Sequence, residues 1–241
     1  MPSAAFTKFA LRMLEVKRLL SLCAPDDADY RIKTENVARD EALLRGAHVL
    51  LCSHLEGYFE DLICDLVDAY DKLTTQVTLL PEELRARQVL GGTSTWDIKD
   101  PKKRWEAVKA WAAHPLVNVA ASKTPGSMES DLHIDGFSNP GTTEIENLFN
   151  TVGINDVWVL FKALEPDQII SQSINIIVHR RNQIAHGKTD ATITLADAKI
   201  YVERAERLAE VFEQIVTAEI NARLALVDCW QELENALQAA Q

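Results

Sequence analysis

Between Glu35 and Thr74 the apolar residues Leu44, Ala47, Leu51, Leu55, Tyr58, Leu62 and Leu66 recur three or four positions apart. That is the spacing of one helix face, not of a strand. Leu43, Leu50, Phe59 and Ile63 widen the face, and an apolar surface so broad must meet more than one neighbour. One long helix that needs several partners confines the chain to helical architectures. A first amphipathic helix is predicted from Ser3 to Leu22, burying Phe6, Phe9, Ala10, Met13, Leu14 and Leu20. A last one starts at the capping-box-like Thr194-Leu195-Ala196-Asp197 and runs towards Leu237. Its buried face holds Ala198, Val202, Ala205, Ala209, Phe212, Val216 and Ile220. The spacing leaves its continuity through Trp230 open.

Only 9 of 241 residues are glycine and strand-like alternation is nearly absent. The expected fold is an all-α, up-and-down helical bundle in one domain over residues 1–241, with long helices that suggest a dimer. An irregular insertion is expected at about 76–153. There Pro81 opens a short helix ending before Gly91-Gly92, and Asp100-Pro101 starts another that carries Trp105, Val108 and Trp111. A third runs from Thr142 to Val152 and stops at Gly153. Loops are expected over Ala24 to Tyr30 and Ser122 to Pro140. Trp96, Trp105, Trp111, Trp158 and Trp230 are expected as core or interface anchors.

Charge and composition narrow the function. The net charge of -11 argues against a protein that coats nucleic acid non-specifically, because such binding neutralises phosphates, but it allows a local basic cleft. No apolar run approaches the roughly 18 residues of a membrane span. Lys8, Arg12, Glu15, Lys17 and Arg18 interrupt the first helix at amphipathic spacing, unlike a signal peptide. Cys23, Cys52, Cys64 and Cys229 form no C-x-x-C pair and have no zinc-finger histidine spacing. They read as reduced residues of a cytoplasmic protein, with no cofactor and no metal expected.

The chemistry concentrates in Arg180-Arg181-Asn182-Gln183-Ile184-Ala185-His186-Gly187, which closes a helix predicted over about Asp167 to Ala185. Ile170, Ile174, Ile177 and Ile184 form its core stripe, and Arg181 falls in the gap, within roughly 20° of the stripe's centre. A guanidinium keeps its charge and is rarely buried without a partner. Glu56 is the obvious carboxylate to meet it. Asn182 and His186 are i, i+4 neighbours, whereas Arg181 and His186 differ by about 140°. Both can serve one target only if the helix end unwinds at Gly187 or a second copy of the helix faces the first. Arginine binds phosphate and stabilises charge building on it, and histidine exchanges protons near neutral pH. Together they suit attack of a ribose 2′-hydroxyl on the adjacent phosphodiester. Arg180 and Lys188 flank them as candidate RNA contacts.

Arg181-Asn182-x-x-x-His186 followed by Gly187 resembles the R-x4-H signature of HEPN-domain ribonucleases. The early segment Ser53-His54-Leu55-Glu56-Gly57-Tyr58-Phe59-Glu60 is similar to the RiboL-PSP subgroup of HEPN-like nucleases. Gly136 to Gly153, with Asn139-Pro140 and a short helix, is also similar to that subgroup. The resemblance implies a metal-independent endoribonuclease with its cleft at a homodimer interface, in which an acidic residue of the early helix, here Glu56, accompanies Arg181, Asn182 and His186. It also implies a toxin or phage-defence effector acting on RNA, with an antitoxin or a neighbouring-gene protein as a possible partner. The alternative is a non-catalytic helical module that dimerises or binds a partner and carries the motif as a structural network.

Overall fold

The computed structural model describes residues 1–23, 34–74, 76–90, 99–117, 128–188 and 191–239. Among these, helices begin where side chains supply the missing acceptors for the first-turn N–H groups. Ser3 accepts the Phe6 N–H and opens α1 (Ala4–Ser21). α2 spans Thr34–Leu73, 40 residues and about 60 Å at 1.5 Å per residue. The 3-10 turn Val77–Leu79 leads to α3 (Glu82–Leu90), and Asp100 caps α4 (Pro101–Ala113). The short α5 (Asp131–Ile134), α6 (Thr142–Asn150) and α7 (Val157–Leu164) precede α8 (Gln168–Ala185), capped by Asp167. α9 (Leu195–Leu224) starts at Thr194, whose Oγ1 accepts the Asp197 N–H, and α10 (Cys229–Ala239) ends the described chain. No β-strand occurs among the described residues, so the fold is all-α as expected.

The broad face of α2 explains the assembly. α1, α8, α9 and α10 all pack on it, and every residue of its predicted stripe is buried. Ala5 bonds Asp65 while Lys8 and Arg12 reach Asp61, so α1 runs antiparallel to α2. Ser3 meets Glu213 and Lys17 meets Glu206, so α1 is antiparallel to α9 as well. The buried Tyr58 hydroxyl donates to the Ala209 carbonyl at 2.8 Å, and His48 meets Tyr201 edge-on, which sets α2 parallel to α9. The up-and-down sense is therefore written in named contacts.

Several expectations change. In α1, Ala10 and Leu14 face outward while Ala5 and Val16 take the core side. The segment 157–164 is a helix that the sequence reading did not foresee. Trp158 and Phe161 on α7 join Phe59, Phe149 and Phe212 in an aromatic cluster, and that packing makes the helix worth forming. The predicted last helix is two. Ala225, in the left-handed region at φ 55°, breaks it, and Asn221 bridges the break by accepting the Cys229 N–H and donating to Val227. Residues 131–134 of the expected 122–140 loop form a helical turn, while 122–127 lie outside the described residues, as do the 24–30 loop and Trp96. Trp158 and Trp230 are anchored inside, but Trp105 and Trp111 are exposed on α4, which buries nothing.

Hydrogen bonds at Thr142 tie the start of α6 to α7 and α8. The Trp158 indole donates to the Thr142 carbonyl, and the Thr142 N–H and hydroxyl face Asn175 of α8. These pin residues 139–142 between α2 and α8.

Candidate active site

Arg181 enters from the last turn of α8 into the space beside α2. Its Nη2 lies 3.5 Å from Glu56 Oε2, with the two side chains 23% and 29% exposed. Cys52, one turn before Glu56 on α2, receives a further contact from the guanidinium, and burial pushes its thiol up from the ordinary range. The same Glu56 oxygen accepts the Asn139 N–H at 3.2 Å. Asn139 holds φ at 52°, a left-handed conformation that asparagine tolerates better than most residues. The result is a three-element junction in which α2 supplies the carboxylate, α8 the guanidinium and the Asn139 segment the backbone donor.

The junction is under-bonded. Arg181 Nε and Asn139 Oδ1 are both buried without a hydrogen-bond partner. A buried polar atom without a partner costs roughly 1–3 kcal/mol. Such atoms in native folds call for a reason such as a catalytic role or a missing ligand. Arg181 reaches oxygen through one nitrogen only and meets the Cys52 sulfur besides, which leaves its Nε–H without an acceptor. The Glu56 side also carries negative charge. Burial raises the Glu60 carboxyl above the usual range, with Glu56 and Asp61 adding to the effect. Gly57 lets Arg12 approach, since a Cβ there would lie 3.0 Å from Arg12 Nη1.

The helix end does not unwind. The Lys188 N–H bonds the Gln183 carbonyl, the Gly187 N–H bonds Ile184, and Gly187 sits at φ 70°. This is a complete Schellman closure with glycine at its left-handed position. His186 is the C-cap residue, its N–H bonded to Asn182 and its side chain exposed. Within one chain, therefore, Arg181 and Glu56 come together and His186 does not join them. Asn182 is half-buried on the side of the helix between the two. Arg180 donates to the Thr192 carbonyl, which closes the connection into α9, and Lys188 is exposed.

Sequence reasoning missed Asn139, Cys52 and Arg45. Arg45 donates to the Lys188 carbonyl from α2 and braces the turn behind His186. Only Asn139 carried a signal, an asparagine before proline in a Gly-rich stretch, and that signal marks a turn rather than a partner for Glu56. Among the described residues no group of three His, Cys, Asp or Glu side chains is arranged to hold a metal ion.

Residues 11–218 match the sequence profile of the RiboL-PSP-HEPN family, a span that holds Glu56 on α2 and the whole octapeptide on α8. The chain belongs to the RiboL-PSP-HEPN family. No curated protein and no solved structure matches it. For this HEPN chain the family span runs from within α1 to within α9, so it includes the helices that build the Arg181–Glu56 junction. Among the described residues no helix is long and apolar enough to cross a membrane.

Proposed function

We propose that this HEPN chain is a metal-independent endoribonuclease whose working site forms between two copies of the chain. One observation carries the reading. An arginine held at the edge of the core by Glu56 keeps a buried N–H without an acceptor, one turn before an exposed histidine whose side chain has no partner among the described residues. Arg181 would bind the scissile phosphate in two-pronged fashion and stabilise the charge that builds on it. The ribose 2′-oxygen would form a bond to phosphorus as the bond from phosphorus to the 5′-oxygen breaks. One proton leaves the 2′-hydroxyl and one reaches the departing 5′-oxygen, giving a 2′,3′-cyclic phosphate and a 5′-hydroxyl. Two histidines, one from each copy, would supply the base and the acid. Asn182 would orient its neighbours, Glu56 would position Arg181, and Arg180 and Lys188 would contact the RNA backbone.

A homodimer also has a surface to use. His186 shares the open side of α8 with Ile169 and Ile176, which are 53% and 46% exposed. A second copy covering those isoleucines would bring its own His186 to the same seam. Such an enzyme fits a toxin or phage-defence effector in the cytoplasm, restrained by an antitoxin or a neighbouring-gene protein.

The test is incubation of the purified protein with RNA in EDTA, followed by analysis of the ends. Cleavage should persist in the chelator, leave cyclic phosphate, and fall at least about a hundredfold in Arg181→Ala and His186→Ala. Both variants must retain their helical circular dichroism. RNA that stays intact with the natural protein, together with a lower Tm in Arg181→Ala, would favour the non-catalytic module, in which the Glu56 pair is purely structural.

A further inference from the structure

Beside Asn139, an open cavity of about 330 Å³ lies between α3, α5, α6 and the 135–139 segment. Its volume falls in the range of small-ligand sites, roughly 300–1,000 Å³. Its floor is rigid. The Gln88 amide donates to His133 Nε2 at 3.0 Å and also to the Glu129 carbonyl, so His133 carries its proton on Nδ1 and donates to Thr151 Oγ1. The Thr151 hydroxyl in turn donates to Leu148. Burial, reinforced by the nearby Arg87, lowers the His133 pKa to about 4, so the ring adds no positive charge at neutral pH.

The wall residues select a chemistry. Arg87 is fixed through its Nε to the Leu132 carbonyl and lines the cavity. Asp135 and Glu144 add two carboxylates, so the lining carries one excess negative charge. A phosphate is disfavoured there, whereas a neutral group rich in N–H donors is favoured. Phe137 offers a ring braced edge-on by Phe59. Among the nucleobases, guanine presents N–H donors for the Asp135 and Glu144 carboxylates together with the O6 and N7 acceptors for the Arg87 guanidinium and the Asn147 amide. Unstacked RNA bases are read in this way, by stacking on aromatic side chains and by edge hydrogen bonds.

We propose that this cavity binds a guanine base of the RNA, next to the phosphate held by Arg181. The proposal deepens the ribonuclease reading and rests on it for the register, because Asn139 is the shared wall between the cavity and the Glu56–Arg181 junction. The subsite would make the enzyme prefer guanine at a position beside the cleaved bond.

The experiment uses neutral nucleosides, so that no phosphate competes at Arg181. Guanosine, inosine and adenosine are titrated calorimetrically into the full chain. Guanosine should bind about tenfold or more tightly than adenosine, with inosine, which lacks the 2-amino group, weaker than guanosine. Asn147→Ala and Glu144→Gln, both at exposed positions of α6, should each weaken guanosine by about tenfold with Tm unchanged. Arg181→Ala should leave guanosine binding intact. Equal binding of guanosine and adenosine, no binding of either, or no effect of the two α6 substitutions would overturn the subsite. Guanosine binding by a protein that cuts no RNA would remove the nuclease reading and leave the pocket. Cleavage without guanosine discrimination would do the reverse.

Discussion

Asp65 shows how a single carboxylate can work against its own charge. It accepts the Ala5 N–H at 2.7 Å at the start of α1, where the helix dipole favours an anion. Yet burial, with Glu213, Asp68 and Asp61 nearby, raises its pKa to about 6. A carboxyl whose folded pKa lies above its unfolded one stabilises the fold fully below about pH 4, and that contribution is lost as pH rises through about 6. Asp65→Asn keeps an oxygen for Ala5 and removes the buried charge. It should raise Tm at pH 8 and leave it nearly unchanged at pH 4, as read by thermal melts at the two pH values. Arg181 meets the same problem with the opposite sign. Its pairing with Glu56 was legible as soon as a permanent charge stood in an apolar stripe, because such a charge needs a partner. That the carboxylate would also hold Asn139 was not legible, since a backbone donor carries no residue-type signal.

At the scale of the element, periodicity identified the long helices because their faces are long enough for the pattern to exceed chance. It failed on α7, whose eight residues carry apolar groups nearly all round and whose form is decided by Phe212 and its aromatic neighbours. The junction of α9 and α10 turns on Asn221. Its amide holds both the Cys229 N–H and the Val227 carbonyl across the break at Ala225. Asn221→Ala should lower stability by about 1–2 kcal/mol and speed amide exchange in α10 more than in α9. Uniform exchange changes across both helices would mean that the break is not independently capped. The end of α8 shows the converse case. Gly187 was expected as its stop, and the complete Schellman closure follows from a residue that can hold positive φ.

For the whole molecule, the closed end of α8 has a consequence. Had the helix unwound, one chain could have aimed Arg181 and His186 at one phosphate. With the helix regular to Ala185, the proposed chemistry needs a second subunit, and the open side of α8 with Ile169 and Ile176 is the surface for it. Ile176→Glu should convert the proposed dimer to monomer in sedimentation velocity and abolish RNA cleavage with Tm little changed. A natural protein that is monomeric at the concentrations where it cuts RNA would sink the two-copy site. With a net charge of -11 on the body, the proposed enzyme would bind RNA only locally, through the cations near the end of α8.

By itself the sequence determined the helical class, the long helices and their inward faces, the stop at Gly187 and the chemical character of the octapeptide. These follow from local rules: helical period, capping and the cost of burying a charge. Only the tertiary structure decided that Asn139 shares Glu56 with Arg181, that α7 exists, that α9 breaks at Ala225, and that the end of α8 stays closed and leaves His186 outside the Arg181–Glu56 junction. The first two depend on groups far apart in sequence meeting in a packed core, which no spacing rule encodes. The last two rest on short-range bonds, Cys229 to Asn221 and Lys188 to Gln183, whose backbone angles the sequence left open.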